Sequence, residues 1–313
     1  MKKKKILLLL LKIFFIPSIL VAFEIKEIEE GIYVHYGVHE ETNKRNKGDI
    51  CNIGFIVGKK SIMIVDPGGT QIIGNKLLEK VREISSLPIS HIVITHSHPD
   101  HFFGAEAFVK ENAKIIGHEK LNRSLRSNFD FYKNLQFTNT GVDIIKNAKL
   151  VEANILVKTN KKKLIDLGQR IIEIKAWSSG HTDNDISVYD KKTKTFWSEN
   201  IFVERTPSIR ASILGWRKNL EEILKMDIKI IVPGHGKVTG KNQAIKPMIS
   251  YFDRIIKQIR ELHKNNKSLK ETISLVQKNE SLDHSKVNIE NWILFKEYHY
   301  ANITKAYTEL EWE

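Results

Sequence analysis

Four side chains able to bind a metal ion fall within six consecutive residues, His96-Ser-His98-Pro-Asp100-His101. In an extended segment His96 and His98 point to the same side and can share one ion, while Asp100 and His101 can turn toward a second. Neutral imidazole and carboxylate together suit zinc. The cluster follows residues 89–95, a nearly continuous β-branched stretch that reads as a buried strand. Ligand sites in layered folds collect at such strand ends. A loop gathering three imidazoles and a carboxylate with no chemical use is the weaker reading.

The surrounding sequence supplies elements to position this cluster. Short apolar stretches at 31–36, 53–57 and 61–65 read as strands, and Asp66-Pro-Gly-Gly closes the third with strong turn chemistry. A helix with one apolar face is expected at 72–85. Further strands are expected at 113–117, 163–167, 170–176, 186–189, 195–197 and 228–232. Many strands with occasional helices imply an α/β protein of two sheets packed face to face and covered by helices. Residues 119–159 are less regular and carry Phe129, Phe131, Tyr132 and Phe137, which suits either a cap over a site or a surface helix with its own small core. After Pro247 the apolar spacing becomes three and four, and helices are expected at 248–264, 268–277 and 288–310.

With 313 residues the chain is long enough for one or two domains, and 41% hydrophobic with 28% charged residues is a globular composition. Lys2 to Lys5 head an apolar run to Phe23, with Ala22 near its end, so residues 1–22 read as a secretory signal peptide. An uncleaved membrane anchor is the alternative; the run is short for a full span and Lys12 interrupts it. Export to the periplasm or exterior follows from the first reading, membrane anchoring from the second. The net charge of +13 shrinks accordingly: without five lysines the 50 basic residues become 45 against 37 acidic, leaving +8. That residue of charge is a solvated surface, and Lys161 to Lys163 read as a turn rather than a nucleic-acid stripe. Cys51 is the only cysteine. It cannot form an internal disulfide and reads as a buried, inert thiol.

The cluster resembles the metallo-β-lactamase fold superfamily, whose signature is His-x-His-x-Asp-His after a buried strand. The resemblance implies an αββα sandwich at 23–245, to which the helices at 246–313 form a C-terminal appendage. It also implies more ligands at later strand ends. His181, in Gly180-His-Thr, would complete a triad with His96 and His98; His235, in Gly234-His-Gly, would join Asp100 and His101 on a second ion. Glu199 stands where the superfamily places a bridging Asp, which leaves one or two zinc ions per chain open. A narrower likeness is to the quinoprotein relay system zinc metallohydrolases and SoxH-type exported proteins. It is carried by Gly48-Asp-Ile-Cys-Asn-Ile-Gly-Phe-Ile-Val-Gly, His98-Pro-Asp-His-Phe-Phe-Gly, Gly180-His-Thr-Asp-Asn-Asp, Phe202-Val-Glu-Arg-Thr-Pro-Ser-Ile and Ala306-Tyr-Thr-Glu-Leu-Glu-Trp-Glu. A periplasmic quinoprotein partner is what that likeness implies.

The expected activity is hydrolysis of an ester, thioester or amide bond in a small molecule by metal-activated water, with Asp100 orienting the nucleophile. Competing readings are a β-lactamase and a non-catalytic carrier of metal or quinone. Redox chemistry of the flavodiiron kind is disfavoured because His98 stands where those relatives have Glu. Nucleic-acid processing is disfavoured by export. Arg205 and Ser208 are expected to face substrate, whereas His91, within the strand, reads as a packed or surface histidine, and His118, His263, His284 and His299 lack ligand partners nearby in sequence.

Overall fold

A computed structural model of the protein describes residues 23–279 and 291–313. The proposed signal peptide, His284 and the start of the helix expected at 288 lie outside the described residues. Seven strands form the first sheet in chain order: β1 (Lys26–Glu29), β2 (Ile32–His35), β3 (Ile53–Val57), β4 (Ile62–Val65), β5 (Ile89–Val93), β6 (Lys114–His118) and β7 (Ile155–Val157). Neighbours are antiparallel from β1 to β4 and parallel from β4 to β7. The parallel part needs crossovers. These are α1 (Gln71–Ile84), α2 (Pro99–Phe102) with a 3₁₀ segment at Phe103–Glu111, and α3 (Leu121–Thr140).

The second sheet contains β8 (Lys162–Asp166), β9 (Ile171–Ala176), β10 (Ile186–Asp190), β11 (Thr195–Phe202), β12 (Ile230–His235) and β13 (Thr239–Gly240), in the order β13-β12-β11-β10-β9-β8. Only the β11–β12 pair is parallel, and α4 (Ile213–Leu224) makes that crossover. The chain closes with α5 (Lys241–Lys264), α6 (Leu269–Asn279) and α7 (Phe295–Leu310). Among the described residues no helix is long and apolar enough to cross a membrane.

Strand pleating produces the layers. Along β4, Ile62 and Ile64 pack outward with Ile73, Leu77 and Val81 of α1, whereas Met63 and Val65 pack inward with Trp197 and Val232 of the other sheet. A strand buried on both faces must be apolar throughout, which is why β4 and β5 read as unbroken hydrophobic runs. Each such side chain contributes roughly 1.5–3 kcal/mol of transfer free energy. On the far face, Phe196 of β11 and Trp216 of α4 share a core with Tyr251, Phe252 and Ile255 of α5 and Ile303 of α7. The result is the expected αββα sandwich. Its C-terminal helices are the fourth layer, and α5 runs through the position expected as a domain boundary at 245.

One open expectation is resolved and one is corrected. Residues 121–140 form one helix of 20 residues; Asn, Ser, Thr and aromatic residues of modest helix propensity blur its periodicity, and only Leu121 and Leu125 are deeply buried apolar anchors. Lys162 and Lys163 open the edge strand β8 instead of lying in a turn, their charges blunting an exposed sheet edge.

Candidate metal centre

The centre lies where β4, β5, β11 and β12 end together. His96 follows β5; His98 precedes Pro99, whose fixed φ starts α2, and that helical turn carries Asp100 and His101. His181 sits in the β9–β10 loop, Glu199 in β11 and His235 at the end of β12. His96, His98 and His181 each offer a ring nitrogen, all within 4.8 Å of one another. The His181 Nε2 and His98 Nδ1 atoms are 3.1 Å apart. Next to them, Oδ2 of Asp100 lies 3.1 Å from Nε2 of His101 and 3.5 Å from Nε2 of His235. The rings of His96 and His101 join the two sets, their centroids 4.3 Å apart.

The outward nitrogens are tethered. His181 Nδ1 bonds the carbonyl of Ser208 at 2.8 Å, and His235 Nδ1 bonds that of Ile50 at 2.8 Å. His101 Nδ1 bonds Oδ2 of Asp66 at 2.8 Å. A carbonyl only accepts, so the proton of His181 and of His235 sits on Nδ1 and leaves Nε2 with its lone pair facing the cluster. Asp66 is itself held by the Thr95 N–H at 2.8 Å and the Thr95 hydroxyl at 2.6 Å.

The charges complete this arrangement. Burial first, then neighbouring imidazoles, pushes His96 and His181 well below the usual histidine range; burial and the Arg205 charge do the same for His235, and His98 is pushed down to about 4. All four are neutral at pH 7, the form that ligates metal. Burial opposes charge on His101, yet Asp100, the Cys51 sulfur and Asp66 hold its pKa well above the ordinary value. Burial likewise opposes ionisation of Asp100, but the imidazoles of His101, His235 and His98 keep it a carboxylate.

These residues fit a metal ion. Nε2 of His96 is buried and, among the described residues, meets no hydrogen-bonding partner, an arrangement that costs free energy unless something else satisfies it. Tetrahedral zinc with nitrogen ligands places its donors about 3.3 Å apart, close to the spacing of His98 and His181.

Glu199 is placed differently from the other six expected ligands. Its Oε1 accepts from the Trp197 indole at 2.5 Å, and its Oε2, buried and, among the described residues, without a hydrogen-bonding partner, lies 3.6 Å from Nδ1 of His101. That is the ring edge facing Asp66, not the edge facing Asp100. Burial and then Asp66 push the Glu199 carboxyl well up. Gly234 permits this packing: a Cβ there would stand 2.3 Å from the Glu199 carbonyl oxygen and 2.8 Å from Oε2.

The cluster floors a cleft of about 520 Å³. One wall is a stripe of α3, from Asn128 through Phe131, Tyr132, Leu135 and Gln136 to Asn139. Phe131 is 63% exposed, an aromatic ring presented at the lip. Arg205, Arg210 and Tyr298 also line the cleft. Arg205 is buried and holds the Glu40 carbonyl and the Glu41 carboxylate, each at 2.9 Å, so it is a structural ion pair that also borders the cleft. Arg210 is exposed, and among the described residues no carboxylate pairs with it.

Sequence reasoning missed Asp66, Arg210 and Tyr298, whereas the α3 wall answers to the cap that residues 119–159 suggested as one of two readings. Asp66 was legible only as turn chemistry, although an acid ending a buried strand beside β5 is a signal in its own right. Ser208 serves the site through its backbone carbonyl. His118 and His299 are buried and hydrogen-bonded, to the Trp177 carbonyl and the Tyr251 hydroxyl, as expected of ordinary histidines. Cys51 is buried as expected; burial pushes its thiol up, but it lies within 4.8 Å of donor atoms of Asp100 and His101.

The chain is similar to several known proteins. A linear primary-alkylsulfatase of Pseudomonas sp. is 45% identical over 67 residues, which are 21% of this chain and 13% of that protein. A metallo-β-lactamase type 2 of Bacillus sp. is 24% identical over 220 residues, 65% of this chain and 74% of that one. Among solved structures, a stereoselective inverting sec-alkylsulfatase from Pseudomonas sp. superposes with a TM-score of 0.68 at 16% identity, covering 91% of this chain and 50% of the other. The family described as the metallo-β-lactamase superfamily matches residues 46–235, from before β3 to His235, and the chain belongs to that superfamily.

Proposed function

We propose that the protein is a metal-dependent hydrolase of small esters that carry a negative charge, and that the metal is zinc. The observation that carries this reading is the convergence of His96, His98, His181, Asp100, His101 and His235 beneath a cleft whose lining includes His98, Asp100, His181 and His235. A divalent ion held there lowers the pKa of a water toward neutrality and polarises the bond to be cleaved. Asp100 orients the attacking water through its carboxylate, which Nε2 of His101 holds at 3.1 Å. Arg210, close enough for its charge to depress His98 and His181, receives the anionic group of the substrate. The α3 stripe covers an apolar portion of the substrate, with Phe131 and Leu135 excluding water along it.

A sulfate ester of an apolar alcohol meets all these requirements, and the local identity to the alkylsulfatase supports it. The β-lactam reading has its own support in the match over 220 residues to the Bacillus lactamase. Thioesters and amides, the other substrates that the sequence suggests, offer Arg210 no charge at the scissile group. Export through residues 1–22 and a quinoprotein partner extend the proposal and rest on the quoted sequence segments alone. The deciding experiment reconstitutes metal-free protein with zinc and compares sulfate release from medium-chain alkyl sulfates with turnover of nitrocefin, an uncharged ester and a thioester. Asp100→Ala should abolish whichever activity appears. An Asp100→Ala protein with undiminished turnover, or full turnover after chelation, sinks the reading.

A further inference from the structure

We infer that Cys51 is a ligand of the second metal position, completing with Asp100, His101 and His235 a set of one sulfur, one oxygen and two nitrogens; this rests on the metal-dependent reading above. The Cys51 sulfur, a carboxylate oxygen of Asp100 and a ring nitrogen of His101 all lie within 4.8 Å of one another, and all three residues are buried. Nε2 of His235 borders this group through Oδ2 of Asp100, 3.5 Å away. Zinc–sulfur bonds of about 2.3 Å and zinc–nitrogen bonds of about 2.0 Å require donors roughly 3.3–3.6 Å apart, so metal binding would draw these donors together from their present spacing.

The backbone prepares this position. The carbonyl of Ile50 tethers His235, so a single turn both orients that imidazole and presents the adjacent thiol. The turn is held from behind by Gly37, where a Cβ would lie 2.5 Å from the Cys51 nitrogen and from its carbonyl oxygen. In the metal-free cluster Cys51 Sγ donates to the Asp100 carbonyl at 2.9 Å, a weak bond that ties the sulfur to the chain segment bearing the other ligands. Glu199, the carboxylate expected to join this centre, meets His101 on the opposite ring edge. Binding breaks the S–H bond, releases the proton to solvent and forms a sulfur–metal bond; thiolate and carboxylate together then balance a divalent charge. A sulfur donor also biases the position toward zinc and cobalt over magnesium and manganese.

The test uses the full-length chain, stripped of metal and titrated with cobalt(II). The sequence has one cysteine, so any thiolate-to-cobalt charge-transfer absorption in the near ultraviolet can come only from Cys51. The expected result is such a band in the unmodified protein, growing to one thiolate per chain, and its loss in Cys51→Ser and Cys51→Ala while the visible d–d absorption of the histidine triad persists. Bound cobalt with d–d absorption and no charge-transfer band in the unmodified protein would overturn the assignment and leave the metal-dependent reading intact. No cobalt bound at all would overturn both.

Discussion

Replacing Asp66 by Asn tests whether the cluster is a metal centre whose histidines are set by their outer tethers. Asp66 accepts three hydrogen bonds, from the Thr95 N–H at 2.8 Å, the Thr95 hydroxyl at 2.6 Å and His101 Nδ1 at 2.8 Å. An amide has one accepting oxygen. If that oxygen keeps the Thr95 N–H, the amide nitrogen faces a hydroxyl that can rotate to accept, and an Nδ1–H that cannot. The imidazole proton must move to Nε2, the nitrogen 3.1 Å from Oδ2 of Asp100 that would otherwise ligate. Loss of such a tether costs about 10–100-fold in metal affinity, or about 1.4–2.7 kcal/mol. Stability of the metal-free protein should suffer less than the lost bonds suggest, because burial pushes both the Asp66 and Glu199 carboxyls up and the neutral amide relieves their mutual repulsion. Competition titration with a chromophoric chelator resolves the two equivalents. The weaker binding should fall on the position of Asp100, His101 and His235 and spare that of His96, His98 and His181. Equal affinity in both proteins, or a loss confined to the histidine triad, refutes the tautomer argument.

Arg210→Ala should raise KM about tenfold for an alkyl sulfate, the low end for a charge-assisted contact because the side chain is exposed, and leave an uncharged ester untouched. Equal effects on both substrates would remove Arg210 from recognition. Arg170 pairs with Asp190 at 2.9 Å where both are buried and also bonds the Val57 carbonyl of the facing sheet, so Arg170→Met should cost about 3–5 kcal/mol in urea unfolding by stranding a carboxylate. A cost below about 1 kcal/mol contradicts that role. His299, buried against Phe295 and Tyr251, is pushed down to about 4 by burial, whereas in the unfolded chain it titrates near 6.5. Between those values the unfolded state binds the extra proton, so stability present above pH 6.5 is lost as pH falls toward 4, on the order of 2–3 kcal/mol for this group. Unfolding free energies of wild type and His299→Gln should converge across that window; parallel curves would show that His299 does not contribute.

Much of the site was readable because its chemistry is local. His96, His98, Asp100 and His101 lie within one strand end and one helical turn, so their spacing alone implies shared ions, and Pro99 marks where the extended segment turns. His181 and His235 were readable only through the family resemblance, which implies further ligands at later strand ends. The strands were readable because two-sided burial demands unbroken apolar runs, as at β4 and β5. α3 was readable only as a cap or a surface helix, since its stripe is defined by the cleft it lines and not by a hydrophobic period.

What tertiary structure alone decided are pairings between distant residues. Asp66 reaches His101 across 35 positions, Cys51 reaches Asp100 across 49 and Ile50 reaches His235 across 185. No local period encodes such contacts, because each depends on how two sheets twist and close over one another. The same closure turns Glu199 toward Asp66, since the edge of a ring that a carboxylate meets is set by packing around Trp197 and Gly234. Residue types and spacing thus determined which ligands the chain owns, and sheet packing decided which proton, which ring edge and which neighbour each ligand receives.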